Sequence, residues 1–254
     1  METATKEGIY IYCIFGSSPP QSFGAAGIGG RNDELYSVCA GGLGAVVSHS
    51  AMQKFKISRD NLLAHERAIE EVMQTRAVLP VRFATVAENE GKVRKILLKE
   101  AERFSALLRA MEGRKELGLK AVFDSEKIYA QIAKQEEIKR IKARLSSLPA
   151  DKVYFQKMEA GRMVEKALER ERDQCRADIL GALTPLAVEV KTAKPYGEMM
   201  ILNAAFLVEC AREEEFDRAV RELGEKSGAL VAWHYTGTVP PFNFVNIEIS
   251  AKDL

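Results

Sequence analysis

The sequence predicts an α+β fold in two domains: an N-terminal mixed sheet with two helices, and a C-terminal ferredoxin-like sheet carrying a long inserted helical hairpin. Three observations carry this expectation. Residues 8–30 and 35–53 contain no Lys, Arg, Asp or Glu, while residues 88–178 are dense in alternating charge. Apolar residues recur at strand spacing in the quiet tracts and at helical spacing in the charged one. The strand-and-helix order then restarts after Gly113, which puts the expected domains at 1–113 and 114–254, with the hairpin at about 125–183.

The elements follow in chain order. Residues 9–15 are β-rich and apolar on both sides, the pattern of a central strand. Residues 35–40 and 43–48, joined by Gly41 and Gly42, read as a hairpin. Ser58 or Asp60 caps a helix reaching Arg76, with Leu62, Leu63, Ile69, Val72 and Met73 on one side. Residues 78–86 return as a strand whose Pro80 confines it to an edge or a bulge. An amphipathic helix over 89–111 ends at Gly113.

In the second half, 117–123 is a strand, and Asp124 or Ser125 caps a helix to about Leu148. Ile138, Ile141, Leu145 and Leu148 form a stripe along it. Pro149 interrupts, and a second helix over 151–183 offers Val164, Leu168, Cys175 and Ile179 as the matching seam. Pro185 ends that helix. Strands at 186–190 and 199–208, a helix at 213–226, and strands at 230–235 and 244–249 complete a β-α-β-β-α-β order.

Composition narrows the function. The chain has 254 residues and 37 basic against 36 acidic side chains, a formal charge of +1. A general nucleic-acid binder needs clustered cations, which this balance lacks. At 46% hydrophobic and 29% charged, the chain has enough apolar matter for a core. Cys13, Cys39, Cys175 and Cys210 form no C-x-x-C pair, which fits a reducing compartment. Two glutamates and one lysine precede a short apolar run at the start, not the basic segment and longer apolar run of a signal peptide, so none is expected. The quiet tract 35–53 has the length of a membrane span but is broken by Gly41, Gly42 and Gly44 and by serines, so no span is expected either.

The search for catalytic chemistry finds no constellation. His65-Glu66 opens like a zincin helix, but position 69 is Ile and no second histidine follows; the pair reads as solvated or capping. His234 beside Trp233 reads as a packed or edge residue of a strand. The glycines of 24–30 lack both the phosphate-loop spacing and a following helix, and read as a flexible surface loop. Neither a catalytic site nor a metal or cofactor is expected. What remain are two strings that mix prolines with hydrophobes: Val78, Leu79, Pro80, Val81, Arg82, Phe83, and Val239, Pro240, Pro241, Phe242, Asn243, Phe244, Val245. Each reads equally as a rigid turn feeding an edge strand or as a docking surface, since a proline-stiffened segment loses little entropy on binding.

In this order and spacing the strings resemble the gas vesicle protein family GvpF/GvpL along nearly the whole chain. The matching residues are the apolar run 9–14, residues 44–48, His65-Glu66, residues 78–83, Gly118 with Lys120 before Asp124, and residues 240–245. Two positions depart: Ala84 stands where the family usually has glycine, and Val239 where it often has tryptophan. The near-neutral charge fits a cyanobacterial-type member better than a haloarchaeal one. The resemblance implies an accessory protein of gas vesicle formation, not an enzyme, located at the gas vesicle in the cytoplasm. Its partners would be the major shell protein and other accessory vesicle proteins, with no nucleic acid. The expected contact residues are Val78, Leu79, Pro80, Arg82 and Phe83, then Trp233, Pro240, Pro241 and Phe242. Arg82 has an alternative as a buried cation paired with a helix carboxylate such as Glu66. The rival expectation is a small-ligand or enzymatic module, because a ferredoxin-like sheet hosts many functions.

Overall fold

Eight consecutive residues of β1 (Glu7–Gly16) are buried, as a strand covered on both faces requires. This is the central strand expected near the start of the chain. In the computed structural model, which describes residues 6–16, 19–25, 27–53, 55–146, 153–250 and 254, the chain forms two compact units. The first comprises Met1–Glu116 with Thr238–Leu254, the second Leu117–Gly237.

The first unit is built on β1, β2 (Ser22–Ala25), β3 (Glu34–Ala40), β4 (Leu43–Ala51), β5 (Val78–Pro80) and β6 (Val86–Ala87). Their order is β2-β3-β4-β1-β5, with β6 also paired to β1. Each strand-to-strand pairing is antiparallel. The expected mixed character reduces to one parallel bridge between Val81 and Ile247. Gly41 and Gly42 both have positive φ (60° and 78°), the turn that joins twisted antiparallel strands. Gly44 is needed for another reason: a Cβ there would lie 2.5 Å from Phe15 Cζ.

Helix α1 (Arg59–Met73) is capped by Ser58, whose side chain accepts from the Asn61 N–H. It buries Ala68, Ile69 and Val72 against Tyr10, Tyr12 and Phe15. The expected helix over 89–111 is two helices, α2 (Glu90–Lys99) and α3 (Ala101–Met111), because Glu100 leaves helical geometry at φ −103°, ψ 14°. Between them they pack against β1, β3, β4, β5 and β6. The strand expected over 78–86 exists only at its ends, since residues 82–84 turn away from the ladder before the Thr85 carbonyl accepts from the Ile11 N–H of β1 at 3.0 Å. Pro80 does lie in an edge strand, where its missing N–H costs no ladder bond. The glycine-rich loop is pinned: Ile28 is buried, and its N–H donates to the Tyr12 hydroxyl at 2.9 Å.

The second unit has the expected ferredoxin-like order. Strands β7 (Arg114–Phe123), β8 (Glu189–Thr192), β9 (Met200–Glu209) and β10 (Val231–Val239) are arranged β10-β7-β9-β8. Asp124 caps α4 (Ser125–Ile132) through the Lys127 N–H. The first arm of the inserted hairpin is interrupted at 133–135, giving α4 and α5 (Glu136–Ser146), and α6 (Val153–Leu183) returns. Leu148, Pro149 and Asp151, placed at the hairpin's break, lie outside the described residues. Ile138, Leu168 and Ile179 are buried in the core with Phe206 and Phe216, while Val164 and Cys175 are half-buried against it. Helix α7 (Glu213–Ser227) buries Phe216 and Val220.

Residues 244–249 do not close this sheet. The edge place is taken by β10, and Ile247 bridges Val81 in the first unit. The expected boundary at residue 114 therefore misplaces the C-terminal segment, because the buried Val245 and Ile247 belong with the first unit. Among the described residues, no helix is long and apolar enough to cross a membrane.

A groove at the edge of the first sheet

Two strings far apart in sequence meet in the first unit. Pro80, Val81, Arg82 and Phe83 form one wall of an open groove. Phe242, Val245, Asn246, Ile247 and Glu248 form another, and Leu62, His65 and Glu66 of α1 complete it, around a cavity of about 540 Å³. The parallel bridge between Val81 and Ile247 ties the two strings together. Leu62 and Phe242 are each 41% exposed, so apolar surface reaches solvent at the groove.

A single buried carboxylate holds the proline string in place. Glu116 is 3% exposed, and its two oxygens accept from the backbone N–H and the side-chain amide of Asn243. Within the string, the N–H groups of Phe244 and Val245 both donate to the Pro241 carbonyl. Pro240 and Pro241 are buried, and the turn they shape turns Phe242 outward. The aromatic group is thus displayed by a rigid support, which limits the entropy lost when it is covered.

The floor of the groove is His65, and it contradicts the solvated reading of the His-Glu pair. His65 is 3% exposed. Its Nε2 lies 3.2 Å from the Val81 carbonyl and its Nδ1 3.1 Å from the Tyr10 hydroxyl. A carbonyl only accepts, so Nε2 carries the proton and Nδ1 accepts from Tyr10. The Tyr10 oxygen in turn accepts from the Ala84 N–H at 2.9 Å. Burial lowers the His65 pKa to about 4, against a smaller opposing effect of the Val81 carbonyl. The ring is therefore neutral at pH 7 and both nitrogens are engaged. Phe83 meets it edge-on at 5.7 Å and Phe242 lies tilted at 6.4 Å. A neutral, fully bonded imidazole makes a rigid aromatic base and has no nitrogen free to move a proton.

The predicted contact residues separate by environment. Pro80, Arg82, Phe83 and Phe242 line the groove. Val78 and Leu79 are 1% and 0% exposed and are core residues, because both α1 and α3 pack on β5. They can support a contact but cannot make one. Pro240 and Pro241 are buried braces. Trp233 sits on β10 of the second unit, where its indole N–H donates to Ser227 Oγ at 2.9 Å. It borders a smaller cavity of about 190 Å³ and is not part of the groove. Arg82 is not a buried cation: its side chain is 75% exposed and lies 3.8 Å from Glu248.

Sequence reasoning missed Tyr10, whose hydroxyl donates to His65 Nδ1, and Glu116. It also grouped Leu62 on one side of α1 with Ile69 and Val72, which are buried while Leu62 is exposed. Helical periodicity alone could not separate a residue facing the sheet from one facing a groove beside it. Residues 246–248 were hidden by their reading as a strand of the other sheet.

Comparison with known proteins agrees with this architecture. The family described as gas vesicle synthesis protein GvpL/GvpF matches residues 8–246. Gas vesicle protein F of a Nostoc species is 27% identical, covering 96% of this chain and 100% of that protein. Gas vesicle protein F of a Streptomyces species is 28% identical over 93% and 98%. The crystal structure of GvpF from an Anabaena species superposes with a TM-score of 0.82 at 26% identity, covering 96% of this chain and all of that one. The GvpF structure from Microcystis aeruginosa, at 23% identity and a TM-score of 0.73, shares the fold.

Proposed function

The chain belongs to the gas vesicle synthesis protein GvpL/GvpF family, and on that premise we propose that it serves vesicle formation by holding the hydrophobic shell subunit before and during assembly. A shell that excludes liquid water needs a subunit with an extensive apolar face. As a free monomer, such a subunit is prone to aggregate through exposed strands and patches. A soluble protein that covers this face keeps the subunit available for nucleation. It acts in the cytoplasm at the growing vesicle, alongside other accessory vesicle proteins.

One observation carries the reading. The two proline strings and α1 converge on a single open groove, with Leu62 and Phe242 exposed at it. Soluble proteins normally keep such side chains dispersed, and clustered ones mark contact sites. The contact set is accordingly Pro80, Arg82, Phe83 and Phe242. Val78, Leu79, Pro240 and Pro241 shape it from behind, and Trp233 is left as a separate site on the second unit.

The test is co-purification of coexpressed shell subunit with the tagged full-length chain. Phe242→Ala and Arg82→Ala should each lower the amount retained while the thermal melt stays within a few degrees of the parent. Undiminished retention in both variants removes the groove from the proposal. Protease treatment of washed, floating vesicles, before and after collapse, then tells a retained component from a transient chaperone.

A further inference from the structure

The charges around the groove do not balance. Two carboxylates, Glu66 and Glu248, and one guanidinium, Arg82, line it, while His65 is neutral. Arg82 is turned to Glu248. Glu66 is half-buried, and no ion pair or hydrogen bond links it to another described residue. Burial and then the neighbouring Glu70 raise its pKa, and among the described residues no cation opposes them. Glu70 stands one helical turn along α1, where two like charges destabilise a helix. A carboxylate kept against the stability of its own helix, beside exposed Leu62, points to a requirement outside the fold.

We infer that the groove takes a partner segment that sets one lysine or arginine beside apolar side chains, with Glu66 as the counter-charge to that cation. The inference rests on the groove being the docking site. Leu62, Phe83 and Phe242 receive the apolar side chains, and Glu66 fixes how the segment lies by pairing with its cation. Partial burial makes such a pair stronger than a surface ion pair, because less water screens it. A purely apolar segment would leave Glu66 covered and unpaired, a costly arrangement. The groove thus selects among greasy partners by charge.

The experiment uses the full-length chain with coexpressed shell subunit as probe, at low and high salt. Glu66→Gln keeps the size and one accepting oxygen of the side chain while removing its charge. It should lower retention about five-fold and remove most of the salt dependence, while its melting temperature equals or exceeds that of the parent. Glu66→Lys should lose more, and changing one shell-subunit lysine or arginine to glutamate should restore it. Parental retention and salt dependence in both Glu66 variants, with Phe242→Ala still impaired, overturns the cation and leaves the groove standing. Failure of every charge reversal to rescue Glu66→Lys overturns the pairing as well. Parental retention in all variants, Phe242→Ala included, overturns the docking site itself.

Discussion

Ala84 occupies a conformation that its side chain disfavours. Its φ is +65°, in the left-handed region where a Cβ crowds the following carbonyl. The turn is forced there because the Ala84 N–H must reach the Tyr10 hydroxyl and the Arg82 carbonyl accepts from Thr85 Oγ1 at 2.6 Å. The positive φ gives a physical reason for the glycine that the sequence resemblance leads one to expect at this place. Ala84→Gly should raise stability by about 0.5–1 kcal/mol, the relief of strain less the added freedom of the unfolded chain; chemical denaturation would measure it, and a loss would refute the strain. His65 gives a second prediction at this scale. Its folded pKa of about 4 lies below the ordinary value of 6.5, so the folded state binds fewer protons between them. Its contribution is complete above about pH 6.5 and is lost as pH falls toward 4, up to roughly 3 kcal/mol. Denaturation from pH 7 to 4 should show that slope, and His65→Gln should lack that part of it. An equal slope in both proteins would mean that the buried ring is not the cause.

At the scale of elements, the proline string owes its shape to a polar anchor outside itself. Pro240 and Pro241 fix local dihedrals, but Glu116 of β7 holds Asn243 by two bonds. Asn243→Ala removes the amide donor from a buried carboxylate, a loss of about 2 kcal/mol. The same change should raise hydrogen exchange of the Phe244 and Val245 amides, and unaltered exchange would show that the prolines suffice. The string was legible in sequence because proline next to aromatic residues is unusual in any element. Its anchor was not legible, since Glu116 sits among the ordinary charges of 112–116 and only burial marks it out. Likewise the division of 89–111 into α2 and α3 is invisible to periodicity, which continues across Glu100.

For the whole molecule, the first unit is closed by both ends of the chain. Thr238–Leu254 joins Met1–Glu116 and contributes buried Pro240, Pro241, Val245 and Ile247. Truncation after Val239 should therefore weaken the first unit by more than about 3 kcal/mol, from lost apolar burial and the loss of the two Asn243 bonds to buried Glu116. Hydrogen exchange should show β1 and β5 losing protection while β7 and β9 keep theirs. Retained protection in β1 would assign the C-terminal segment no part in that core.

Residue order alone was enough for the α+β class, the central strand, the hairpin at Gly41–Gly42, the ferredoxin-like order and the family, because each rests on spacing or local backbone preference. Those signals act between residues close along the chain. Only the tertiary structure brought α1, residues 80–83 and residues 242–248 to one groove, buried His65 beneath it and left Glu66 without a cation among the described residues. Contacts across more than 150 residues depend on which surfaces pack, and no local pattern records that choice.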